Sequence, residues 1–402
     1  MTVQTVDRWA ELSAAEREVL EAVFWERDVS RSALAAQMGY SKSKSSAAVS
    51  GLMMLGALER KARASTGGRR AEGLSLSGGL GVIAAVDLGA TSLSVGLLTP
   101  TLSVLESLSE DIDVRQGPGP VMARVKAILR QLLVVCGVQE STILALGMGV
   151  PGPVESHSGL LVNPPIMPGW EGFSIRDDLA GMLGAPVYVD NDVNVAALAE
   201  LWHAERKLQN FFVIKVGTGI GCGIVCNGAV YHGMDGAAGD VGHILVDPLG
   251  PRCHCGNVGC VEAMAAGPAI AREATLAAQT GESPLLAEWL HAQGRLDPPD
   301  VARAGREGDP VANAIIQKSG LLIGQMLAAL VNFFNPSHIV LTGGITRMGP
   351  LWLASIRQSV YQRSLALSTR HIEIRPSVLG EQGGLIGAGA LAMLSSIRVE
   401  SA

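Results

Sequence analysis

The spacing of apolar residues near the N-terminus predicts three helices, over residues 13–26, 30–39 and 42–55. Ser13 and Glu16 form a capping-box pattern at the start of the first helix. Gly39 suits the position after the second helix, where a left-handed residue commonly ends a helix. Tyr40 and Ser41 then form a turn. Two helices joined by a short Gly-containing turn are the arrangement of a helix-turn-helix.

From residue 82 onward, apolar strand-like runs alternate with Gly-rich turns. Residues 82–98 are predicted to form two strands around a tight turn, and similar apolar segments lead into Gly-rich turns at 211–225 and 339–344. A Gly-rich turn opens an apolar helix at 380–389. Residues 187–200 are predicted to form a strand that enters a helix. We therefore expect an α/β body with a nucleotide cleft between two related halves.

The start of the predicted helix at 42–55 is rich in small polar and basic side chains: Ser41, Lys42, Ser43, Lys44, Ser45 and Ser46. In helix-turn-helix modules this end contacts base edges and phosphates. Two short strands, 57–63 and 72–77, flank a Gly-Gly tip with Arg63, Arg69 and Arg70. This pattern favours a β-wing that contacts the DNA backbone or minor groove. The alternatives are a helical hairpin unrelated to DNA and a solvated basic linker.

Composition and charge agree with a multidomain α/β protein. The chain has 402 residues, of which 48% are hydrophobic, and its net charge is −6. Residues 1–80 carry +2, so the remainder carries −8. No apolar run reaches about 18 residues and the N-terminus lacks a signal-peptide pattern, so no membrane insertion is predicted. Together with zinc-type cysteine spacing, this predicts a cytoplasmic protein.

We expect three domains, with the last helix a candidate to return to the first lobe. They are a winged helix-turn-helix head at 1–78, an N-terminal α/β lobe at 79–190 and a C-terminal α/β lobe at 191–402.

Half of the six cysteines fall within eight residues, at Cys253, Cys255 and Cys260, and His243 lies ten positions upstream. Three thiolates and one imidazole complete a tetrahedral zinc shell, which leaves no open position for a catalytic water. We therefore predict a structural zinc ion bound by these four residues. The alternative is a chance cluster of buried cysteines.

Two glycines in this motif, Gly256 and Gly259, allow the tight bends that bring the three sulfurs to one ion. A bound metal would also hold His243 and Glu262 in place. Both side chains are therefore candidates to face a ligand.

Several turns have the composition of phosphate-binding loops. Asp87, Gly89 and Thr91 could present backbone N–H groups, a hydroxyl and a carboxylate to a phosphate and Mg²⁺. The later turns add Gly217, Thr218, Gly219, Gly343 and Gly344. Tight β-turns also need glycine, so each turn alone is a weak indication of ATP and Mg²⁺.

A polar group ends the strand predicted at 187–200. Asp192 could accept a proton from a substrate hydroxyl, and Asn191 could hydrogen-bond a neighbouring hydroxyl. The alternative is that Asp190, Asn191 and Asp192 cap the following helix, with help from Asn194.

The chain resembles the ROK family (repressors, open reading frames and kinases) over residues 10–395. The motifs that carry the resemblance are 147–153, 163–170, 190–200 and 239–262, and the cysteine motif is the most distinctive. The resemblance implies a two-lobed actin-like, hexokinase-like body. A head of the kind predicted at its N-terminus is found on the family's regulators of the xylose and N-acetylglucosamine-repressor type, but not on its sugar kinases.

The resemblance also implies a sugar site. Asn191 and Asp192 match the pair that binds the sugar, and Asp192 matches the kinase base. His243 matches a zinc ligand that also touches the sugar, and Glu262 matches a hydroxyl-binding carboxylate. Three residues match loops that close over the sugar: Gly149, Asn163 and Trp170.

Two positions depart from the kinase pattern. Asp240 stands where the kinases usually have Glu, which would alter sugar preference or leave room for a water. Ala90 replaces a glycine of the first phosphate loop, and its Cβ is expected to crowd the phosphates. The second difference weighs against kinase activity, although Asp87, Thr91 and Asp192 remain.

The leading hypothesis is a sugar-responsive transcriptional repressor that binds double-stranded operator DNA as a homodimer or a dimer of dimers. A monosaccharide or a derivative would be its effector. The alternatives are an ATP-dependent sugar kinase with a retained head, and a docking surface for another protein.

Overall fold

A computed structural model describes residues 12–62, 72–155 and 158–398 of the chain. The chain divides into two compact units, which are described separately below. The first unit contains residues 1–206 and 381–402, and the second contains residues 207–380.

The head consists of three helices and a two-stranded antiparallel sheet: α1 (Ala14–Glu26), α2 (Arg31–Gln37), α3 (Lys42–Met54), β1 (Leu58–Ala62) and β2 (Glu72–Leu76). The predicted capping box is confirmed, because the Ser13 hydroxyl accepts from the Glu16 N–H and the Glu16 carboxylate accepts from the Ser13 N–H. Gly39 follows the C-cap of α2 with φ +63°, as predicted. Buried apolar side chains of all three helices form the head's core.

The body of the first unit is an α/β sheet with its helices: β3 (Val82–Leu88), β4 (Ser92–Leu98), β5 (Val104–Asp111), α4 (Pro118–Cys136), β6 (Ile143–Val150), α5 (Ile175–Leu183), β7 (Val187–Asn191) and α6 (Asp192–His203). The strand order is β5-β4-β3-β6-β7. β3 and β4 form an antiparallel pair, whereas β3, β6 and β7 are parallel. β6 is buried along its whole length, as expected for a central parallel strand.

The second unit repeats this sheet topology with a larger set of helices: β8 (Phe211–Val216), β9 (Ile220–Cys226), β10 (Ala229–Val230), α7 (Val261–Ala265), α8 (Gly267–Gln279), α9 (Pro284–Gln293), α10 (Pro298–Arg306), α11 (Pro310–Phe334), β11 (His338–Thr342), α12 (Pro350–Arg363), α13 (Ala366–Thr369) and β12 (Glu373–Pro376). Its strand order is β10-β9-β8-β11-β12, and in both sheets two consecutive antiparallel pairs lie beside parallel strands. The sequence-based expectation of two related α/β halves agrees with this topology.

The last helix, α14 (Gly383–Arg398), returns to the first unit, where it packs against α6 and against β3 and β6. Gly387 lies so close to α6 that a Cβ there would be 2.0 Å from the Val195 carbonyl oxygen. Because α6 packs in this way, the first unit extends to Arg206. The boundary therefore differs from the expected 190/191 position.

Among the described residues, α11 is the one helix long and apolar enough to cross a membrane by length and composition. Its most apolar window is 56% buried inside the second unit. The buried side packs against α12 and the unit's apolar core, which is typical of a core helix.

Candidate functional site

Three cysteines and one histidine of the second unit lie together. His243 ends a short 3₁₀ turn, Cys260 is the N-cap of α7, and Cys253 and Cys255 lie in the intervening loop. One ligand atom from each residue lies within 4.8 Å of all the others. The loop thus brings together four groups that could hold a metal ion.

The distances within this cluster fit a tetrahedral ion. The Cys253 Sγ lies 3.6 Å from the His243 Nδ1, and the Cys255 Sγ lies 3.7 Å from the Cys260 Sγ. With bonds of about 2.3 Å, sulfurs at the corners of a tetrahedron lie about 3.8 Å apart. The donor set and its spacing therefore suit a metal with tetrahedral preference.

The protonation state of the cysteine thiols depends on whether a cation is bound at this site. Burial raises the pKa of Cys253, and burial together with hydrogen bonding to Cys255 raises the pKa of Cys260 to about 12. Without a bound cation, both thiols would be neutral at physiological pH. A metal ion reverses this preference, because its charge stabilises the thiolates that bind it.

Backbone geometry explains why the loop contains glycines. Gly259 has φ +71°, and a Cβ there would lie 1.6 Å from the Asp247 carbonyl oxygen. The Gly259 carbonyl accepts a hydrogen bond from the Val246 N–H at 2.9 Å. Gly256 has φ +94° and faces open space. Gly259 thus lets two chain segments approach closely, whereas Gly256 supplies only the left-handed turn.

Glu262 connects the metal loop to the turn between β8 and β9. Its Oε2 accepts a hydrogen bond from the Ile220 N–H at 3.0 Å, and its Oε1 lies 3.8 Å from the Cys253 Sγ. A Cβ on Gly219 would lie 2.6 Å from the same carboxylate. The candidate sugar-binding carboxylate is therefore fixed between the cysteine loop and a candidate nucleotide turn.

Asp240 begins the 3₁₀ turn that ends at His243. Its carbonyl accepts the His243 N–H at 3.3 Å, and its side chain is exposed. Gly239 has φ +112°, and a Cβ there would lie 1.9 Å from the Cys222 carbonyl oxygen. This close approach fixes the backbone against β9 directly before Asp240.

The candidate nucleotide residues of the second unit lie at one end of its sheet. The Gly217 N–H donates to the Gly219 carbonyl at 2.9 Å, which forms the β8–β9 turn around Thr218. Gly343 follows the parallel strand β11 with φ +91°, and a Cβ there would lie 2.3 Å from the Val216 carbonyl oxygen. Gly344 next begins a short 3₁₀ turn. These glycines permit close backbone packing. Tight β-turns need such packing whether or not they bind a nucleotide.

In the first unit, candidate residues for both ligands occupy one edge of the sheet. Asp87 pairs in register with Gly149, and Gly149 pairs with Asp190 on the next parallel strand. A Cβ on Gly149 would lie 3.3 Å from Val195 and 3.5 Å from the Asp192 Cα. Ligands of open α/β sheets bind outside this carboxyl end of the strands.

The phosphate-loop candidates begin at the same edge. The Gly89 N–H donates to the Ser92 carbonyl at 2.7 Å, and Thr91 is exposed. Ala90 packs against the apolar core of this sheet. Its methyl group thus contacts the protein interior.

Asn191 and Asp190 both have structural partners at the start of α6. The Asn191 Oδ1 accepts the Val193 N–H at 2.9 Å as the N-cap, and its Nδ2 donates to the Gly152 carbonyl at 2.8 Å. The buried Asp190 accepts hydrogen bonds from the Asn191 N–H and the Asn194 side chain. Helix capping, the alternative considered from the sequence, therefore occurs. Asp192, in the first turn, is half-buried.

Two loop residues implied by the family motif behave differently. Asn163 is exposed and left-handed, with φ +43°, and its N–H donates to the Glu171 carboxylate at 2.5 Å. Trp170 is fully buried, and its Nε1 donates to the Val114 carbonyl at 3.0 Å. Trp170 is thus a core residue, because its ring fills the interior below the loop.

In the head, the candidate DNA contacts divide into exposed and buried positions. Lys42 and Ser43 are exposed, and Ser41 is the N-cap of α3. The Lys44 ammonium lies 3.6 Å from the centroid of the Tyr40 ring. Ser45 is 3% exposed. The prediction that Ser45 contacts DNA is therefore wrong, because its side chain faces the head's core.

Sequence reasoning missed the rest of the exposed face of α3. Beyond Ser46, this face continues to Ala47 and Ser50, both exposed. Helical periodicity counted from the buried Val49 and Leu52 could have identified them.

The three arginines of the predicted wing, Arg63, Arg69 and Arg70, lie outside the described residues.

Comparisons with known proteins agree with this architecture. The ROK family profile matches residues 83–394. The chain belongs to the ROK family. A glucokinase of Halalkalibacterium halodurans is 33% identical over 76% of this chain and 93% of its own length. A xylose repressor of Caldicellulosiruptor bescii is 27% identical, covering 81% of this chain and 82% of the repressor.

Among ROK structures, a transcriptional regulator described as a homologue of the Escherichia coli MLC protein superposes with a TM-score of 0.79 and 25% identity. The match covers 95% of this chain and 97% of that one. Since the family profile begins at residue 83, a match of this extent includes most of the head as well as the ROK body.

Proposed function

We propose that this ROK protein is a sugar-responsive transcriptional regulator, most simply a repressor of carbohydrate-metabolism genes. The observation that carries the proposal is the head: three helices and a hairpin precede the ROK body, with an exposed basic and polar α3 N-terminus. The full-length likeness to a ROK transcriptional regulator supports it. We interpret the head as a winged helix-turn-helix whose α3 enters the major groove.

The proposed effector is a monosaccharide or a derivative. In the first unit, Asn191 and Asp192 are the proposed partners of its hydroxyl groups. In the second unit, the proposed sugar-binding residues are Asp240, His243 and Glu262. Gly149 and Asn163 would shape the surrounding loops. We assign the metal as zinc with a structural role, because three thiolates and one imidazole leave it no open position.

Operator binding is proposed to require two heads in a homodimer or a dimer of dimers in the cytoplasm. Paired heads contact half-sites about 34 Å apart, so a small change in their spacing abolishes specific binding. A full switch requires the effector to favour one state by about 5.5 kcal/mol. The test is an electrophoretic shift on the protein's own promoter DNA, reversed by a specific sugar. Promoter binding unaffected by every sugar would refute the effector role.

An ATP-dependent hexose kinase is the second candidate, favoured by the 33% identity to a glucokinase. Asp192 would then be the base, and the turns at Asp87, Gly89 and Thr91 would hold ATP and Mg²⁺. A coupled ADP-release assay with glucose, mannose and N-acetyl sugars tests it. Turnover of about 1–10³ s⁻¹ that is lost in Asp192→Asn would establish the kinase.

A further inference from the structure

Helix α1 of the head lies against the C-terminal ends of two body helices. The Arg27 guanidinium donates to the Trp202 carbonyl at the end of α6, and its Cζ lies 3.6 Å from the centroid of the Trp202 ring. The Arg17 Nη1 donates to the Ile397 carbonyl near the end of α14 at 3.0 Å. The last carbonyls of a helix lack intrahelical partners, and the dipole there favours cations. Arg17 of α1 and Arg27, the C-cap residue of α1, therefore cap two body helices.

The same two helices begin at the candidate ligand edge of the first sheet. Asn191 is the N-cap of α6, and the first turn of α14 reaches Asp87, since a Cβ on Gly384 would lie 2.0 Å from that carboxylate. The helices have 12 and 16 residues. At 1.5 Å per residue they span about 18 and 24 Å. Each helix thus runs from a candidate ligand contact to the head.

Backbone strain is concentrated where α6 meets α1. Of seven described residues other than Gly with positive φ, three lie at this junction: Arg27, Glu205 and Arg206. Such residues are uncommon and cluster at sites that change conformation. The chain also leaves the first unit after Arg206. The Arg27 contact therefore lies within a cluster of left-handed residues.

The contact itself is incompletely satisfied. Among the described residues, the Arg27 Nε and the Trp202 Nε1 are buried without a hydrogen-bond partner. Desolvation by burial lowers the pKa of Arg27, although Glu205 opposes this effect. Buried donors left unpaired are costly, which is compatible with a contact that has a second arrangement.

We propose that Arg27 is a positioning residue that couples the ligand-binding end of α6 to the DNA-binding head, with Trp202 as its partner. This inference rests on the proposed function, because it concerns how the sugar site controls operator binding. A change at the α6 N-terminus alters the C-terminal carbonyls and the Trp202 ring, and Arg27 transfers this change to α1. Arg17 of α1, which donates to the Ile397 carbonyl of α14, provides a parallel connection.

The test measures operator affinity by fluorescence anisotropy on promoter DNA, with and without D-glucose, D-xylose or N-acetyl-D-glucosamine. Arg27→Met keeps the aliphatic stem but removes the guanidinium. We expect its sugar-free operator affinity to stay within about threefold of wild type, while the sugar-induced change falls by about tenfold or more. The matched control is Arg124→Met, which removes a guanidinium that pairs with Glu110 elsewhere in the first unit and should keep the wild-type response.

Trp202→Phe is a second variant that changes the same contact from the body side. It keeps the test usable if Arg27→Met fails to fold. The proposal is overturned if both variants fold and keep the full wild-type sugar response. If Arg27→Met is unfolded, a full response in Trp202→Phe alone overturns it. If the wild type responds to no sugar, the proposed function fails instead.

A double-mutant cycle then decides this inference without a sugar. It compares the operator affinities of Asn191→Ala, Arg27→Met and the double variant. Coupling predicts non-additive effects on operator affinity, and additive effects contradict the coupling.

Discussion

Glu262 accepts a hydrogen bond from the backbone N–H of Ile220 at 3.0 Å, which ties the helix after the cysteine loop to the β8–β9 turn. Its other carboxylate oxygen lies 3.8 Å from the Cys253 Sγ. The Cys/His cluster therefore lies against a candidate ligand-binding carboxylate, and a metal bound there would act on ligand binding indirectly.

Loss of the metal should unfold this part of the second unit. Cys260→Ser and Cys255→Ser each remove one thiolate, and we expect both to lose bound zinc and melt at a lower temperature. Zinc binding of this type is coupled to folding, with about 10–16 kcal/mol in zinc-finger peptides. Elemental analysis and thermal unfolding measure the effect, and Cys226→Ser is the matched control outside the cluster. A Cys260→Ser protein that lacks zinc but keeps normal sugar-dependent DNA release would contradict this role.

Neutralising Glu262 should affect the ligand more than the fold. Glu262→Gln retains an oxygen that can accept the Ile220 N–H but loses the charge. Hydrogen bonds to charged groups contribute about 1.5–3 kcal/mol, so sugar affinity should fall by about tenfold or more. Isothermal titration and thermal unfolding separate the two effects. Unchanged sugar affinity in a folded variant would exclude Glu262 from the site.

Gly259→Ala should be strongly destabilising. The left-handed φ alone costs about 1–3 kcal/mol, and the new Cβ would also overlap the Asp247 carbonyl. Gly256→Ala has a similar φ but open space around the Cβ, so it should lose only the conformational part. Urea unfolding compares the two. Equal losses of stability would show that the close approach to Asp247 has no energetic role.

The exposed end of α3 should contribute to DNA binding through charge. Lys44→Ala is expected to weaken binding to operator and unrelated DNA alike and to reduce the salt slope by about 1. Lys318→Ala, which removes a lysine paired with Glu273 in the second unit, should leave both quantities unchanged. An unaltered salt slope in Lys44→Ala would mean that this lysine contacts no phosphate.

Ser45 and Ser50 offer a paired test of the α3 orientation. Ser50 is exposed and Ser45 is buried, so Ser50→Ala should change operator affinity without changing the melting temperature. Ser45→Ala should change stability alone, by about 1 kcal/mol. Melting curves and anisotropy titrations measure both, and the reverse pattern would place the wrong face of α3 on DNA.

The sequence predicted the elements well where periodicity and capping act locally. The Ser13–Glu16 capping box and the left-handed Gly39 depend only on neighbouring residues, and both are present. The cysteine spacing predicted that four candidate metal ligands lie together, because these residues are close in sequence. Ser45 was misjudged, and the burial of Trp170 was not foreseen, because helix phase and loop burial depend on packing from distant segments. The Arg27 contact joins residues far apart in sequence, so no local pattern predicts it.

The most direct test of the central claim is the dissociation constant of the wild-type protein for its own promoter DNA, measured by fluorescence anisotropy across a panel of monosaccharides. The account predicts salt-sensitive, sequence-specific binding that at least one sugar changes by about tenfold or more. Specific binding that no sugar alters would contradict the effector role, and the absence of specific binding would contradict the assignment of the head.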